Sequence, residues 1–407
     1  MQHSTIRQIS VLMATVFADM IGFTMVLPLL PFYATRCGAS ATVVGFLVSI
    51  YAFAQFVTAP LWGRASDRWG RRPMILFGLM ASAVAYVFFG LADALWLLFA
   101  SRLVQGMAGG INGVVQAYVA DAVEPEERAK ALGWLTAATS AGVAIGPVIG
   151  SAAANISREA PGFFAAALCI LNVLSAWKWL PEVRRETATP SEDGAPAVPR
   201  TTLGRSFWEV VRHPRSPLSS LIWIYTFGMM AFLAMNTVLA LHLRSSFGFT
   251  EKTIGYFFAP IGIVSLVMRA FVLGPAVRRF GEVGVTRLGA LSLVVGLACI
   301  PFPTHLVGLA LAVVFVPVGT ALLFPATTAL VSRRSPRGEV GQVLGVQQSF
   351  GSIARMVGPL WSGFVFQRVG EAYPFWLAAA LMLGVSLLTW RQRRSQPEPA
   401  APAVVRA

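Results

Sequence analysis

Charged residues are scarce in this chain. Only 12% of its 407 residues are Asp, Glu, Lys or Arg, about half the share in an average soluble domain. What fills the gap is apolar: 56% of residues are hydrophobic and the mean hydropathy is +0.66. A water-soluble globular domain cannot bury that much apolar surface, so the composition excludes one and implies an integral membrane protein. Acidic residues are the rarer sign, 18 against 32 basic, for a net charge of +14. In a soluble protein that excess would raise nucleic acid as a partner. Here the basic residues fall almost entirely in short loops between apolar runs, where they report topology instead. The three cysteines, Cys37, Cys169 and Cys299, lie far apart with no CxxC spacing, which gives neither a disulfide framework nor a zinc site. Gly106, Gly109 and Gly110 superficially suggest a dinucleotide loop, but they lie inside an apolar run with no strand before them. No cofactor, no metal and no enzymatic activity is expected.

What is present is a series of about twelve apolar runs, each near the roughly 20 residues that cross a bilayer as a helix. The spans read as 8–33, 41–62, 74–92, 95–119, 131–154, 162–180, 218–243, 253–273, 285–302, 305–331, 340–366 and 372–390. The first, although preceded by Arg7, continues past Asp19 to Pro31 with no small-residue cleavage pattern, so it reads as an uncleaved span. One set of alternating loops carries most of the arginine and lysine, including Arg64, Arg68, Arg128, Arg184, Arg278 and Arg333. Positive charge is retained on the cytoplasmic side, which places both termini there. Residues 181–217 have no apolar period and much Pro, Ala, Ser and Thr, the composition of a flexible linker. They divide the chain into a half at 1–180 and a half at 218–390, followed by a Pro- and Ala-rich tail, 391–407, that reads as disordered. Within the linker, Ser206 to His213 is expected to form a short amphipathic helix with Phe207, Val210 and Val211 on one face.

The halves read as repeats. Glu127 to Gly133 parallels Glu339 to Gly345, and Gly146-Pro147 parallels Gly358-Pro359, both 212 residues apart (127 to 339, 146 to 358). Gly274 to Gly281 is a worn copy of Gly63 to Gly70 without its aspartate. Two parallel six-span halves with a substrate site between them near mid-membrane is the expected consequence.

The stretch Gly63-Arg64-Ala65-Ser66-Asp67-Arg68-Trp69-Gly70-Arg71-Arg72-Pro73 holds four arginines, an aspartate and two glycines between two apolar runs. It is expected to be a tight polar turn joining two membrane helices. It resembles the signature loop between helices 2 and 3 of the major facilitator superfamily, G-x-L-x-D-R-x-G-R-R/K, with Ala65 in place of the leucine. The fourth span begins Ser101-Arg102-Leu-Val-Gln105-Gly106, similar to the R-x-x-Q-G motif of the antiporters of that family. The fifth carries Gly142-Val-Ala-Ile-Gly146-Pro147-Val-Ile-Gly150-Ser151, similar to the G-x-x-x-G-P-x-x-G-G signature of its drug:proton antiporters, with Ser151 for the last glycine. The first, with Asp19, Gly22, Pro28 and Pro31, resembles the aspartate-glycine-PxxP pattern of tetracycline-type exporters. The resemblance covers nearly the whole chain. It implies an all-α major facilitator fold of about twelve transmembrane helices, in the drug-efflux branch, acting as a monomer in the inner membrane.

Each motif also has a physical reading. Asp19 is the one carboxylate placed well inside a span, and Arg102 an arginine within one. Intramembrane charges are functional candidates by default, so Asp19, Arg102 and Gln105 are candidates for proton coupling or substrate binding. Arg102, Gln105, Gly106, Gly109, Gly113 and Gln116 should share one face of the fourth span. The plainer alternatives are that Asp19 neutralises a nearby arginine at the helix end and that Arg102 bonds neighbouring carbonyls. In the loop, Gly63 and Gly70 should permit the close turn. Asp67, Arg68, Arg71 and Arg72, with Asp121 as the implied partner, should form a gating latch between the halves. Gly142, Gly146 and Gly150 should let a neighbouring helix approach, and Pro147 should bend the fifth span as a hinge. In the second half Arg355 can bind a substrate anion or an interhelical partner, and Arg269 can snorkel to the cytoplasmic surface. Among the aromatics, Phe23, Tyr51, Phe53, Tyr118 and Phe227 can line an apolar cavity.

Together these features point to proton-coupled export of small molecules by alternating access. Import of a nutrient by symport or uniport, with Arg102 and Arg355 anchoring the substrate, stays open, as does a membrane receptor that keeps the fold without transport.

Overall fold

The structure is a computed structural model that describes residues 3–182, 203–336 and 339–391. Those residues are helical throughout and contain no strand. The first half comprises α1 (His3–Val26), α2 (Leu30–Arg36), α3 (Ala41–Trp69), α4 (Arg71–Gly90), α5 (Leu95–Ala108), α6 (Ile111–Ala122), α7 (Pro125–Ile156) and α8 (Ala160–Trp179). After α9 (Leu203–Arg212), the second half runs through α10 (Pro217–Phe247), α11 (Ile254–Val267), a π-turn at Met268–Val272, α12 (Leu273–Cys299), α13 (Leu306–Arg334), α14 (Val340–Arg368) and α15 (Tyr373–Arg391). Most of the expected linker and all but one residue of the expected tail lie outside the described residues.

Among the described residues, nine helical segments are long and apolar enough to cross a membrane. Three physical details bring the crossings to the expected twelve. The segment Ile254–Cys299 is two crossings that meet at Gly281, whose φ of 69° and ψ of 166° break the helix. The fourth span is broken at Gly109-Gly110 into α5 and α6, each too short to cross alone. The helix α14 is long enough but polar, carrying Gln342, Gln347, Gln348, Ser349, Ser352 and Arg355. Large apolar side chains such as Phe77, Trp96, Ile156, Leu171, Phe271 and Leu387 are exposed, the outer belt expected of helices that face lipid.

The charged signature stretch is not the turn the sequence suggests. The helix α3 continues through Trp69, so residues 63–69 are helical, and only Gly70, with φ of 100°, breaks the chain. Once past the hydrocarbon, the helix remains a favourable way to satisfy its own backbone, and charged side chains simply point into water. Gly70 supplies a φ that an L-residue adopts only with strain. Gly63 plays no such part, since it is helical and faces open space. The second half repeats the device, because Gly281, the break between crossings eight and nine, stands at the end of the worn copy of this stretch.

Gly-Pro repeats hold the two halves together. In α7, Gly142 faces the Phe17 carbonyl, Gly146 the Ile21 carbonyl and Gly150 the Met25 carbonyl, so α1 of the same half lies directly against this glycine row. The other side of α7 meets the second half: a Cβ on Gly255 would overlap the Pro147 carbonyl, and one on Gly262 would stand 2.6 Å from Cα of Ala144. In α14, Gly358 packs on Met230 and Ala234 of α10, while the Pro359 carbonyl and the Ala41 carbonyl leave no room for a Cβ at Gly45 and Gly363 respectively. Each half therefore presents one Gly-Pro helix to its own first helix and to a helix of the opposite half.

Candidate functional site

The two halves meet tightly at one end only. Ser49 Oγ donates to the Met356 carbonyl at 2.6 Å, and Thr42 donates through N and Oγ1 to Gln367 Oε1 at 3.2 and 2.5 Å. On the opposite side of the seam, Ser151 Oγ donates to the Glu251 carbonyl at 2.9 Å and accepts from the Gly255 amide at 2.8 Å. Arg36 pairs with Glu251, and Arg244 donates to Thr35 Oγ1. All of these lie at the end away from the arginine-rich loops. Toward the other end the halves part: in α11 only Ile254 and Gly255 are buried, the π-turn has no buried residue, and beyond Ala54 in α3 only Trp62 and Ser66 are. The result is a chamber open at the arginine-rich end. Ser151, which looks like a loss of the motif's last glycine, is the side chain that ties α7 to the start of α11. Its short hydroxyl at the position of a small residue was the available signal.

Asp19 lies in α1 and is partly buried, with no arginine at salt-bridge distance among the described residues. The simple pairing considered above is therefore not made. It lies within electrostatic range of Tyr51, Tyr86 and Cys169. Arg102, 1% exposed, also acts on Tyr51 and Tyr86, and its guanidinium stands 5.6 Å from the centroid of Phe89. Its Nε and Nη2 are buried without hydrogen-bond partners. The motif around it is built for position. Ser101 Oγ donates to the Ala85 carbonyl at 2.8 Å and Gln105 Nε2 to the Tyr86 hydroxyl at 2.5 Å. A Cβ on Gly106 would collide with the Tyr51 carbonyl, so the glycine lets α3 and α5 close on each other. Arg102, Gln105 and Gly106 are buried together, whereas Gly113 and Gln116, beyond the break at Gly109-Gly110, are exposed. The expected single face is thus continuous only through α5. Gly22 completes the cluster, since a Cβ there would stand 3.0 Å from the Tyr86 hydroxyl.

Tyr51 also joins the two halves. Phe23 packs on its ring at a centroid distance of 5.1 Å, and Arg355 of α14 lies within electrostatic range of it as well as of Tyr225. Arg355 Nη2 donates to Ser352 Oγ at 2.9 Å and its Nε has no partner. Arg269, in the π-turn, is exposed and lies within electrostatic range of the same Tyr225. The other aromatics divide: Tyr118 is buried and bonds the Pro181 carbonyl, Phe53 is exposed, and Phe227 stacks on Trp223.

At the open end the signature residues form a network inside the first half. Arg71 pairs with Asp67 at 2.8 Å and Asp121 at 3.0 Å, and donates to Ser66 Oγ at 2.6 Å. Asp121, the implied partner of the loop, thus meets it through Arg71. Glu182, which no sequence motif marks, accepts from the Arg71 amide at 2.8 Å and presses on Gly70. Arg72 reaches the Trp177 carbonyl, and Arg68 is exposed. Among the described residues, no bond of this network crosses to the second half. The linker helix differs from expectation too: Phe207 stacks on Phe350 and Val210 is buried, whereas Val211 and Trp208 are exposed.

Comparison with known proteins adds an independent line. The model of the Major Facilitator Superfamily matches residues 12–359 and 270–406. Multidrug resistance protein 1 of Bacillus subtilis is 31% identical over 388 residues, covering 94% of this chain and 96% of that protein. The class B tetracycline resistance protein of Escherichia coli is 28% identical, covering 90% of each. Among solved structures, the human organic anion transporter MFSD10 superposes with a TM-score of 0.68 at 25% identity, over 95% of this chain and 100% of that one.

Proposed function

The chain belongs to the Major Facilitator Superfamily, and on that premise we propose that it exports small amphipathic molecules, drugs among them, in exchange for protons. The observation that carries this reading is the chamber itself: the partly buried Asp19 and the buried Arg102 both act on Tyr51, the arginine-rich end is open, and the opposite end is latched. The names of the relatives, multidrug and tetracycline resistance proteins, support export over import.

In this reading the protein is a multi-pass protein of the inner membrane with both termini cytoplasmic, so the arginine-rich open end is the inward face. It works as a monomer of two rocking halves, 1–180 and 218–390, joined by the linker 181–217, and needs no cofactor because the proton gradient supplies the energy. Protonation of Asp19 removes a charge from the chamber and biases the two populations. Arg102 and Gln105 set that proton, Arg71 with Asp67 and Asp121 holds the inward end, and Gly142, Gly146, Pro147 and Gly150 form the surface on which α1 and α11 move. The test is proton movement in proteoliposomes under an imposed pH gradient, with a panel of lipophilic cations, tetracyclines and organic anions. Proton flux opposite to substrate flux is expected. Flux in the same direction would identify a symporter and overturn the reading.

A further inference from the structure

The arginines of the chamber outnumber its acids. Asp19 is the carboxylate, whereas Arg102, Arg269 and Arg355 are three cations. No carboxylate lies at salt-bridge distance from any of the three among the described residues. Asp19 neighbours Tyr51 and Tyr86 on the first-half wall. Arg355 and the exposed Arg269, both in the second half, lie within electrostatic range of Tyr225. A charge at membrane depth is costly unless something pairs with it, and two guanidinium groups that share one phenol double that cost.

We infer that Arg269, Arg355, Tyr225 and Gln348 form an anion-binding position in the second half, which takes the carboxylate or sulfonate head of a flat aromatic organic acid. Four features of the site agree on this chemistry. Gln348 lies close enough to Tyr225 to act on its phenol, as Arg355 and Arg269 do. A Cβ at Gly351 would stand 2.9 Å from the Tyr225 ring, so the glycine lets that ring lie against α14. The π-turn at Met268–Val272 carries Arg269, and such turns occur where a helix re-aims a side chain at a functional site. Guanidinium groups offer forked donors that match a carboxylate or sulfonate, and Arg355 Nε is a buried donor with no partner. For the aromatic body, the Phe23–Tyr51 pair lies across from Arg355, and Phe324 meets Tyr225 edge-on at 5.4 Å. The first half has its own arginine among tyrosines, Arg102 with Tyr51 and Tyr86, but there Asp19 acts on the same phenols. Val143 occupies the place of Arg355, four residues before the proline of the repeat.

The inference rests on the transport reading only for the steps after binding. Its test is equilibrium binding to the purified full-length protein in detergent, read by fluorescence polarisation. The probes are fluorescein and rhodamine 6G, which share a xanthene core and differ in the sign of their charge. Fluorescein should bind at least about tenfold more tightly, as charge complementarity requires. Arg355→Gln and Arg269→Gln should each weaken it by about tenfold while leaving rhodamine 6G within twofold, and Arg355→Lys and Arg269→Lys should retain most of the affinity. Unchanged melting temperatures exclude misfolding as the cause. Equal or tighter binding of rhodamine 6G, glutamine variants that bind fluorescein as the parent does, or no fluorescein binding by the folded protein would each overturn the site. Fluorescein that binds but crosses proteoliposome membranes under neither direction of pH gradient would confirm the site and sink the export reading. Rhodamine 6G moved against protons, with fluorescein unbound, would do the reverse.

Discussion

The two halves share a skeleton and divide the chemistry. Gly146-Pro147 and Gly358-Pro359 do equivalent packing work, each lying against the first helix of its own half and meeting a glycine of the other half, Gly255 and Gly45. Against Gly358, Met230 and Ala234 take the places of Ile21 and Met25, which puts Gly228 where α1 has Asp19. The acid is therefore absent from the second half, just as Val143 stands in the first half where the second has Arg355. Close packing at the seam constrains both copies alike, because a side chain added to either glycine meets backbone. The chamber walls carry no such constraint, so one copy is free to hold a proton and the other an anion.

The largest break in this comparison is Asp19→Asn. It should abolish substrate-driven proton movement in proteoliposomes while leaving dye binding in detergent within a few-fold; proton movement that persists would move the coupling site elsewhere. Next come Gly45→Val and Gly255→Val, which wedge the two equivalent contacts. Overpacking costs about 1–3 kcal/mol, enough to shift a two-state population about tenfold, so hydrogen exchange of residues 41–48 and 251–258 should rise in both variants. Gly384→Val, where nothing lies within 4 Å, should leave exchange unchanged. A rise in only one of the two wedge variants would show that the seam is not symmetric.

Smaller effects sharpen the contrast at the open end. Asp121→Asn removes one charged partner of the buried Arg71 and should lower the melting temperature by the equivalent of about 1–3 kcal/mol. In the second half Arg279→Ala, at the place of Arg68 in the worn copy, touches an exposed side chain over the Phe280 ring and should stay within about 0.5 kcal/mol. Smallest of the seam effects, Ser151→Gly restores the motif glycine but removes the hydroxyl bonded to Glu251 and Gly255. It should loosen the latch by about 0.5–1.5 kcal/mol, visible as faster exchange at residues 251–255.

Hydropathy, loop charge and the 212-residue repeat made the twelve crossings legible, because those patterns are set by the bilayer and by helix packing, while the signature motifs carried the resemblance to the family. The Gly-Pro rows were legible for the same reason: small residues at regular steps say that a backbone comes close, although not that each row serves two neighbours at once. Less was legible where an outcome depends on three-dimensional partners. A dense run of charge at 63–69 reads as a turn, yet charge alone does not break a helix in water, and Gly70 alone does. Glu182 carries no motif and Ser151 reads only as a worn motif glycine, so it is the fold that shows them closing on Gly70 and Gly255. Arg269 reads as a snorkelling residue, and its place in a π-turn within electrostatic range of Tyr225 has no sequence signal.

The most direct test of the divided chemistry is proton exchange on ligand binding, measured with a pH indicator in weakly buffered solutions of purified protein as fluorescein is added. The parent should exchange protons as the dye binds, Asp19→Asn should bind the dye without proton exchange, and Arg355→Gln should lose both together because the dye no longer binds. Proton exchange that survives in Asp19→Asn, or dye binding that fails with Asp19 rather than with Arg355, would contradict the account.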